Sequence, residues 1–547
     1  MPDDSFGTRQ GTTTAPSAPV APGVPAQRAR IPKTGGAGAL PITGVGQAPA
    51  PSPGTEGPGT GNVAGELARL ASDRGWNASP AFYEGDRVWT HGEVHDLAAR
   101  VTMVLVDLGV RPGERILIAL EDCVAWVAAF LGAARLGVTA VPVNPELTEA
   151  DHALVLADCD ARLVVATREI APRFDGVPHL TGEQLLCLAG RVPPGPVAQV
   201  GPSAPLYAQY TSGTTGRPKG ALHRHGDLAL YHRAAGEGVV GIREDDVTLS
   251  VSKLFFAYGL GNTLVFPLFS GSSAVLLAGR PTPALIAEAV VRHGVTALYA
   301  VPSAYANLVA ECEPAAFSSV RVAVSAGETL NETLGARTRE LLGAPVLDQL
   351  GSTEAGHAFC SSTLARDEPG TIGRALPGYE LQVRDEHGEP ATEGELWVRG
   401  ESLLLEYLNQ PDQTAHALVD GWLRTGDRVE RLPGGAYVHR GRCDDMEMVG
   451  GITMSPIEVE KVLSEHPAVA EVAVAVIADE RGARKLRAFV VPAAPGQDPA
   501  RVEEELIELA RGRLAPFKVP RSVKLCQALP RTHTGKLRRF AVRDGDW

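Results

Sequence analysis

From Glu114 to Pro145 the chain runs ERILIAL, then EDCVAWVAAFLGAARLG, then VTAVPVNP: a short apolar strand, a helix-like stretch and a second apolar strand. No other feature constrains the fold as tightly. The run of helical length separates two runs of strand length, and each strand ends in a polar or glycine turn. ARLVVAT, VTALYAVPS, VRVAVSAGE and PVLDQLGSTE add further short apolar strands that end in the same way. Strands alternating with helices imply an α/β protein whose layered β-sheets are mostly parallel. In such sheets the loops that follow the strand C-termini bind ligands.

The chain of 547 residues is too long for one hydrophobic core, so two or more domains are expected. Residues 1–62 are rich in Pro, Gly, Ala, Ser and Thr, with few large apolar side chains, and read as a disordered tail. The LPITG at Leu40–Gly44 resembles a sorting signal, but no apolar anchor follows it near the C-terminus, and it is read as chance in a Pro/Gly-rich stretch. A large N-terminal domain is expected over 63–443. After GRCDD, VAEVAVAVIADE, KLRAFVVPA and the amphipathic ARVEEELIELARGRL mark a smaller α+β domain over 444–547, with the boundary at Asp444. No internal repeat is apparent.

Several partner classes start low. A net charge of −13 does not suit a non-specific nucleic-acid binder, so nucleic acid is not expected. The best apolar run, Val124–Ala134, is half of the ~20 residues that a bilayer needs, so no membrane span is expected. No signal-peptide core is seen near the N-terminus. The seven scattered cysteines form no CxxC pair, which argues against disulfides or a cysteine zinc site and for a reducing cytoplasm.

YTSGTTGRPKG, Tyr210–Gly220, packs glycines, hydroxyls and a lysine directly after the apolar strand PLYAQY. A Walker loop would need Gly at Pro218 and Ser or Thr at Gly220, so this is a different device. Its physics still suits phosphate. Glycines let backbone N–H groups point into one concavity, Ser212, Thr214 and Thr215 add hydroxyl donors, and Lys219 adds a point charge. A random Gly/Ser/Thr run is more often a plain surface turn; the preceding strand tells against that here.

Further motifs follow in a fixed order: LGSTE (Leu350–Glu354), GELWVRG (Gly394–Gly400), GWLRTGD (Gly421–Asp427), GRCDD, and LPRTHTGKLRR (Leu529–Arg539). Together with YTSGTTGRPKG they resemble the adenylate-forming enzymes: acyl-CoA synthetases, peptide-synthetase adenylation domains and luciferases. The resemblance covers roughly residues 65–547. It implies a small mobile C-terminal lid, hinged at Asp444, that rotates between two half-reactions. It also implies ATP and Mg²⁺ as cofactors and a set of roles. Thr211, Ser212, Gly213, Thr214, Thr215 and Lys219 would hold the β- and γ-phosphates. Ser352 and Thr353 would sit at the α-phosphate, and Glu354 would bind Mg²⁺. Asp427 would accept the ribose hydroxyls, Arg442 would add a cation, and Gly327 and Glu328 would pack the adenine. Lys536 would bridge the carboxylate and the α-phosphate; the chain has only eight lysines among its 51 basic residues, so a lysine there is a less routine cation. Taken singly, Asp427, Glu354 and Lys536 read as a turn former, a surface charge and a tail cation; the ordered motifs favour the catalytic reading.

SKLFFAYGLGN, Ser252–Asn262, resembles the matching stretch of benzoate-CoA ligases. That likeness nominates Phe256, Ala257, Tyr258, Gly259 and His357 as the lining of a flat aryl pocket, which aromatic faces and edges suit. Phe255 reads better as core, and His357 is also open to reading as a satisfied structural histidine. At the hinge, GRCDDMEMVGG places Met448 where such ligases carry lysine and Gly450 where they carry serine, with Glu447 beside. The substitution is compatible with adenylation and weakens CoA as the acceptor. The expected activity is therefore activation of a benzoate- or cinnamate-like acid with transfer to CoA. Two alternatives stay open: loading of a carrier protein, and a diazotase-like activation of nitrite for an aryl amine. A homodimer is the expected assembly.

Overall fold

The computed structural model describes residues 61–547 except 175, 213–217, 444–446, 450–451, 479–483, 515, 532–536 and 545–547. The expected tail, up to residue 60, lies outside the described residues. The folded body already includes Asn62. Its side chain caps the helix Val63–Asp73, and its Nδ2 donates to the Ala134 carbonyl at 2.9 Å.

Two large sheets form the body. One has six strands in the order His179–Thr181, Leu163–Ala166, Arg115–Ala119, Thr139–Pro142, Pro205–Ser212 and Pro218–Arg224; only the last pair is antiparallel. The other has nine strands, with a parallel centre that includes Val322–Ala326 and Val346–Gly351 and antiparallel pairs at both ends. The α/β expectation with mostly parallel sheets therefore holds.

The helix Val124–Leu136 buries every residue except Arg135. It packs against the helices Val63–Asp73, His91–Asp107 and Gly182–Ala189. Its Trp126 stacks on Phe130 at 5.3 Å, and Phe130 meets Tyr207 of the six-stranded sheet at 6.0 Å. Full burial of side chains of this size contributes about 1.5–3 kcal/mol each. This accounts for a sequence apolar on all sides yet far too short to cross a bilayer. Among the described residues no helix is long and apolar enough to cross a membrane, and all seven cysteines are free.

A third sheet is antiparallel: Tyr379–Arg384, Glu393–Gly400, Trp422–Arg431 and Leu418–Val419, with Tyr437–Arg442 paired on Trp422–Arg431. The sequence reading did not resolve it as a separate sheet, although Trp422–Arg431 alternates half-buried and buried residues almost throughout. Beyond Arg442 come a short hairpin, Glu447–Val449 with Ile452–Met454, and the strands Val469–Ala478, Arg484–Pro492 and Ser522–Leu525. Helices Pro456–Ser464 and Pro499–Arg513 pack on these strands over a separate core that includes Val459, Leu463, Val474, Leu486, Val502 and Leu506. This is the smaller α+β domain.

Candidate active site

Pro205–Ser212 and Pro218–Arg224 form an antiparallel hairpin in which Thr211 faces Lys219 and Ser212 faces Pro218. Its tip, with Gly213, Thr214 and Thr215, lies outside the described residues; Ser212 is placed by its backbone. Lys219 leaves the tip on the return strand. Its Nζ donates to Gln413 Oε1 at 2.7 Å and stands 5.4 Å from the ring centre of Tyr407.

The strand Val346–Gly351 delivers the LGSTE turn. Ser352 caps a single helical turn, Thr353–Ala355, by accepting from the Ala355 amide at 3.2 Å. Gly356 then closes the turn at φ +75°, and a Cβ there would lie 1.7 Å from Tyr231 Oη, so no other residue fits. The Thr353 carbonyl accepts from His223 Nε2 at 2.7 Å. Glu354 accepts twice: its Oε1 from Tyr407 Oη at 2.8 Å and its carbonyl from the Leu404 amide at 2.7 Å. Residues 404–408 run beside the return strand, with Leu405 donating to the Leu222 carbonyl and Leu408 to the Gly220 carbonyl. Tyr407 thus joins the hairpin's lysine to the turn's carboxylate. Tyr407→Phe is expected to release Glu354 at a cost of about 0.5–1.5 kcal/mol. The expected readout is faster native-state amide exchange over residues 353–356 with a melting temperature lower by no more than a few degrees, and exchange as in the parent would show that Glu354 is held without it.

Asp427 is buried on Trp422–Arg431, opposite Arg442 in the sheet register. Arg442 Nη1 lies 3.4 Å from its Oδ1 and donates to the Thr425 carbonyl at 2.7 Å. His439 bridges: its Nε2 is 3.2 Å from Asp427 Oδ1, and its Nδ1 is 3.1 Å from Thr329 Oγ1. This brings Asp427 and Arg442 to the turn that follows Val322–Ala326, where Gly327 and Glu328 sit. Glu328 accepts from the Ser303 amide at 3.1 Å, and Arg531 of the C-terminal domain approaches its Oε1 at 3.6 Å. Lys536 and Asp444 lie outside the described residues.

Of the aryl-pocket candidates, Tyr258 and His357 come together, with ring centres 5.7 Å apart. Phe266 meets His357 edge-on at 5.1 Å, and Tyr299 meets Tyr258 edge-on at 6.2 Å. Tyr258 Oη donates to the Val324 carbonyl at 3.0 Å, and His357 Nε2 is 3.2 Å from Asn262 Oδ1. Burial pushes the His357 pKa down to about 3, so the ring is neutral, and burial also raises the Tyr258 phenol. Gly261 permits the close packing, since a Cβ there would stand 2.3 Å from His357 Cδ2. Ala257 and Gly259 are buried in the short turn Ala257–Gly259. Half-buried Phe256 packs edge-on against Phe255 at 4.6 Å, and Phe255 is core, as expected. The sequence reading did not single out Tyr407, Gln413, His439 or His223; Tyr407, Gln413 and His223 meet candidate residues only across 53, 194 and 130 residues, and His439 meets Asp427 from the neighbouring strand.

The chain thus joins an α/β body of two large sheets, an antiparallel third sheet and a small appended α+β domain. The chain belongs to the AMP-binding enzyme family: residues 71–408 match the AMP-binding enzyme domain and residues 458–536 match the AMP-binding enzyme C-terminal domain. It is 41% identical over 487 residues to a p-hydroxybenzoic acid–AMP ligase of Mycobacterium tuberculosis, covering 88% of this chain and 69% of that one. It is 39% identical over 473 residues to a benzoate–CoA ligase of Thauera aromatica, covering 82% and 90%. The solved benzoate CoA ligase of Burkholderia xenovorans LB400 superposes with a TM-score of 0.83 at 36% identity, covering 88% of this chain and 99% of that one.

Proposed function

We propose that the protein activates an aryl carboxylic acid with ATP as the acyl-adenylate and then passes the acyl group to a thiol, with CoA the first choice. The observation that carries this reading is the Tyr258–His357 ring pair, in which His357 is buried and neutral, Tyr258 is half-buried, and His357 follows Glu354 by three residues, just past the turn Thr353–Ala355. An aromatic wall beside the expected reaction centre suits a flat aryl acid.

In the first step a carboxylate oxygen forms a bond to the α-phosphorus, the α–β phosphoanhydride bond breaks, and pyrophosphate leaves. In the second, a thiol sulfur bonds to the acyl carbon and AMP departs with the electrons of the mixed-anhydride C–O bond. Both reactants of the first step are anions, so positioning and charge neutralisation are the enzyme's main tasks. Thr211, Ser212, Gly213, Thr214, Thr215 and Lys219 hold the outer phosphates in this reading. Ser352 and Thr353 face the α-phosphate, Asp427 takes the ribose hydroxyls with Arg442 beside it, and Gly327 and Glu328 flank the adenine. Lys536 supplies charge at the transition state. Glu354 is a hard oxygen ligand, and Mg²⁺ commonly takes only one or two carboxylates and completes its shell with phosphates and water. A lone carboxylate fits that pattern, and among the described residues no group of three or more His, Cys, Asp or Glu is placed to hold a metal. When bound, Mg²⁺ would neutralise phosphate charge. The lid over 444–547 turns about Asp444 between the steps, with the body at 63–443.

A second acceptor, the phosphopantetheine thiol of a carrier protein, is favoured by Met448 and Gly450 at the hinge and by the acid–AMP ligase among the relatives. The acid–AMP and acid–CoA ligase names favour an acid over nitrite. Free thiols throughout suit a reducing cytoplasm, and a homodimer is the assembly we propose.

Pyrophosphate exchange with benzoate-like acids, cinnamate-like acids, a C12 fatty acid and nitrite tests the first step. Product mass spectrometry with CoA, holo-carrier protein or an aryl amine names the acceptor. Aryl acids are expected to exchange and the C12 acid to fail. Tyr258→Ala is expected to raise KM for the preferred aryl acid, with the lost stacking costing about 0.5–1.5 kcal/mol beyond lost burial. Exchange with the C12 acid as fast as with every aryl acid would overturn the pocket assignment.

A further inference from the structure

We propose that His223 is a positioning residue for the adenylation step, holding the Ser352–Glu354 turn in register with the phosphate hairpin through its bond to the Thr353 carbonyl. The proposal rests on the adenylation reading above.

His223 sits on the return strand of the hairpin, four residues beyond Lys219, so both side chains leave the same face of one rigid strand. The ring is fully buried. Nε2 faces a carbonyl 2.7 Å away, across 130 residues of chain, so this nitrogen carries a proton and donates. Nδ1 is fixed from the other side by Asp227 Oδ2 at 3.2 Å and Tyr231 Oη at 3.0 Å. Asp227 is itself set by the Arg224 amide, which donates to Oδ2 at 3.0 Å. Tyr231 Oη meets Tyr207 Oη at 3.0 Å, and the Tyr207 ring stacks on the imidazole at 5.0 Å and 17°. His223, Asp227, Tyr231 and Tyr207 are each no more than 1% exposed.

This network grips the turn at both ends. His223 holds the carbonyl of Thr353, and Tyr231 stands against Gly356, where it leaves no room for a side chain. A buried polar chain that served only the core would be satisfied by any partners within its own layer. This one spends its outermost donor on the turn that carries Thr353 and Glu354. Loss of that bond frees the turn to shift relative to Lys219, and misplacement of about 1 Å can cost about 10²-fold in rate.

Two substitutions separate the two nitrogens. An asparagine amide reaches the Nδ1 side and keeps the contacts with Asp227 and Tyr231 while giving up Thr353. A glutamine amide reaches the Nε2 side and keeps the donor to Thr353. With the full chain, His223→Asn is expected to lower kcat for pyrophosphate exchange by about 10²-fold while KM for the acid changes by less than about 3-fold. His223→Gln is expected to stay within about 10-fold of the parent. Native-state amide exchange of residues 351–357 gives a readout that does not need activity: Asn is expected to speed it, whereas Gln leaves it as in the parent. Equal kcat losses in the two variants, or equal amide exchange in Asn and parent, would overturn the proposal. If the parent exchanges pyrophosphate with no acid, the adenylation reading fails by itself, and the amide-exchange comparison still decides whether His223 holds the turn.

Discussion

Lowering the pH from 7 to 5 is expected to lower the folding stability of the protein, well before its carboxylates titrate as a class. Burial pushes His95 and His357 down to about 3 and His225 to about 4, from an ordinary value of 6.5. The unfolded chain takes up a proton at each of these rings as the pH falls through 6.5, while the native state does not until about pH 3–4. Stability from these rings is fully present above pH 6.5 and is lost progressively below it. At pH 5 the loss is about 2 kcal/mol for each ring, as an upper figure. Asp122 acts in the opposite sense. Burial raises it to about 6 despite Lys253, so between about pH 6 and 4 the native state holds a proton that the unfolded chain lacks, which returns roughly 1 kcal/mol at pH 5. Asp348, buried and held well above the ordinary carboxylate value, acts in the same sense as Asp122, while burial also lowers His91, His152, His232 and His293 and adds to the loss, so the rings leave the balance destabilising. Urea midpoints at pH 7, 6 and 5 measure it, and His95→Gln should flatten the slope. A midpoint that is level from pH 7 to pH 5 would show that these rings are protonated in the native state.

The parts of the fold set by local pattern were legible in the sequence. Arg115–Ala119, Val124–Leu136 and Thr139–Pro142 lie where the strand–helix–strand alternation places them, because apolar runs of those lengths admit few other arrangements. The smaller domain was legible for the same reason: Val469–Ala478, Arg484–Pro492 and the helix Pro499–Arg513 each carry a clear period. The antiparallel sheet was harder, since its central strands Glu393–Gly400 and Trp422–Arg431 are joined through the helix Pro411–Ala417 and their register is fixed only by pairing across it. Within the site, residues carried by dense motifs were visible, and their holders were not. Tyr407 meets Glu354 across 53 residues, Gln413 meets Lys219 across 194, and Thr329 meets His439 across 110. Nothing local marks a tyrosine in LEYLNQP as the partner of a distant carboxylate, or a histidine in AYVHRGR as the link to a distant threonine. Phe256, which motif likeness nominates for the pocket, is half-buried with its ring edge-on to the core residue Phe255.

Lys536→Ala is expected to lower adenylate formation by about 10²–10³-fold while leaving ATP binding and the melting temperature nearly unchanged; one lost interaction at developing charge typically costs about 3–4 kcal/mol. Lys536 itself lies outside the described residues, but both flanks of its segment are placed. Arg531 pairs with Leu537 in an isolated bridge, and Arg531 also reaches Glu471 at 2.8 Å within its own domain and Glu328 at 3.6 Å in the body. Arg531, five residues before Lys536 in the sequence, thus lies beside Glu328, one of the two residues proposed to flank the adenine. On the proposed roles, a lysine that supplies charge at the transition state would contribute little to ground-state ATP binding, where Lys219 and Arg442 would already supply charge. It contributes most when charge builds on the oxygens between carboxylate and α-phosphate. The distinguishing measurement is a pair: pyrophosphate exchange, which should collapse, and calorimetric ATP binding, which should not. Loss of both together would place Lys536 in nucleotide binding instead, and retention of exchange near the parent level would remove it from the reaction altogether.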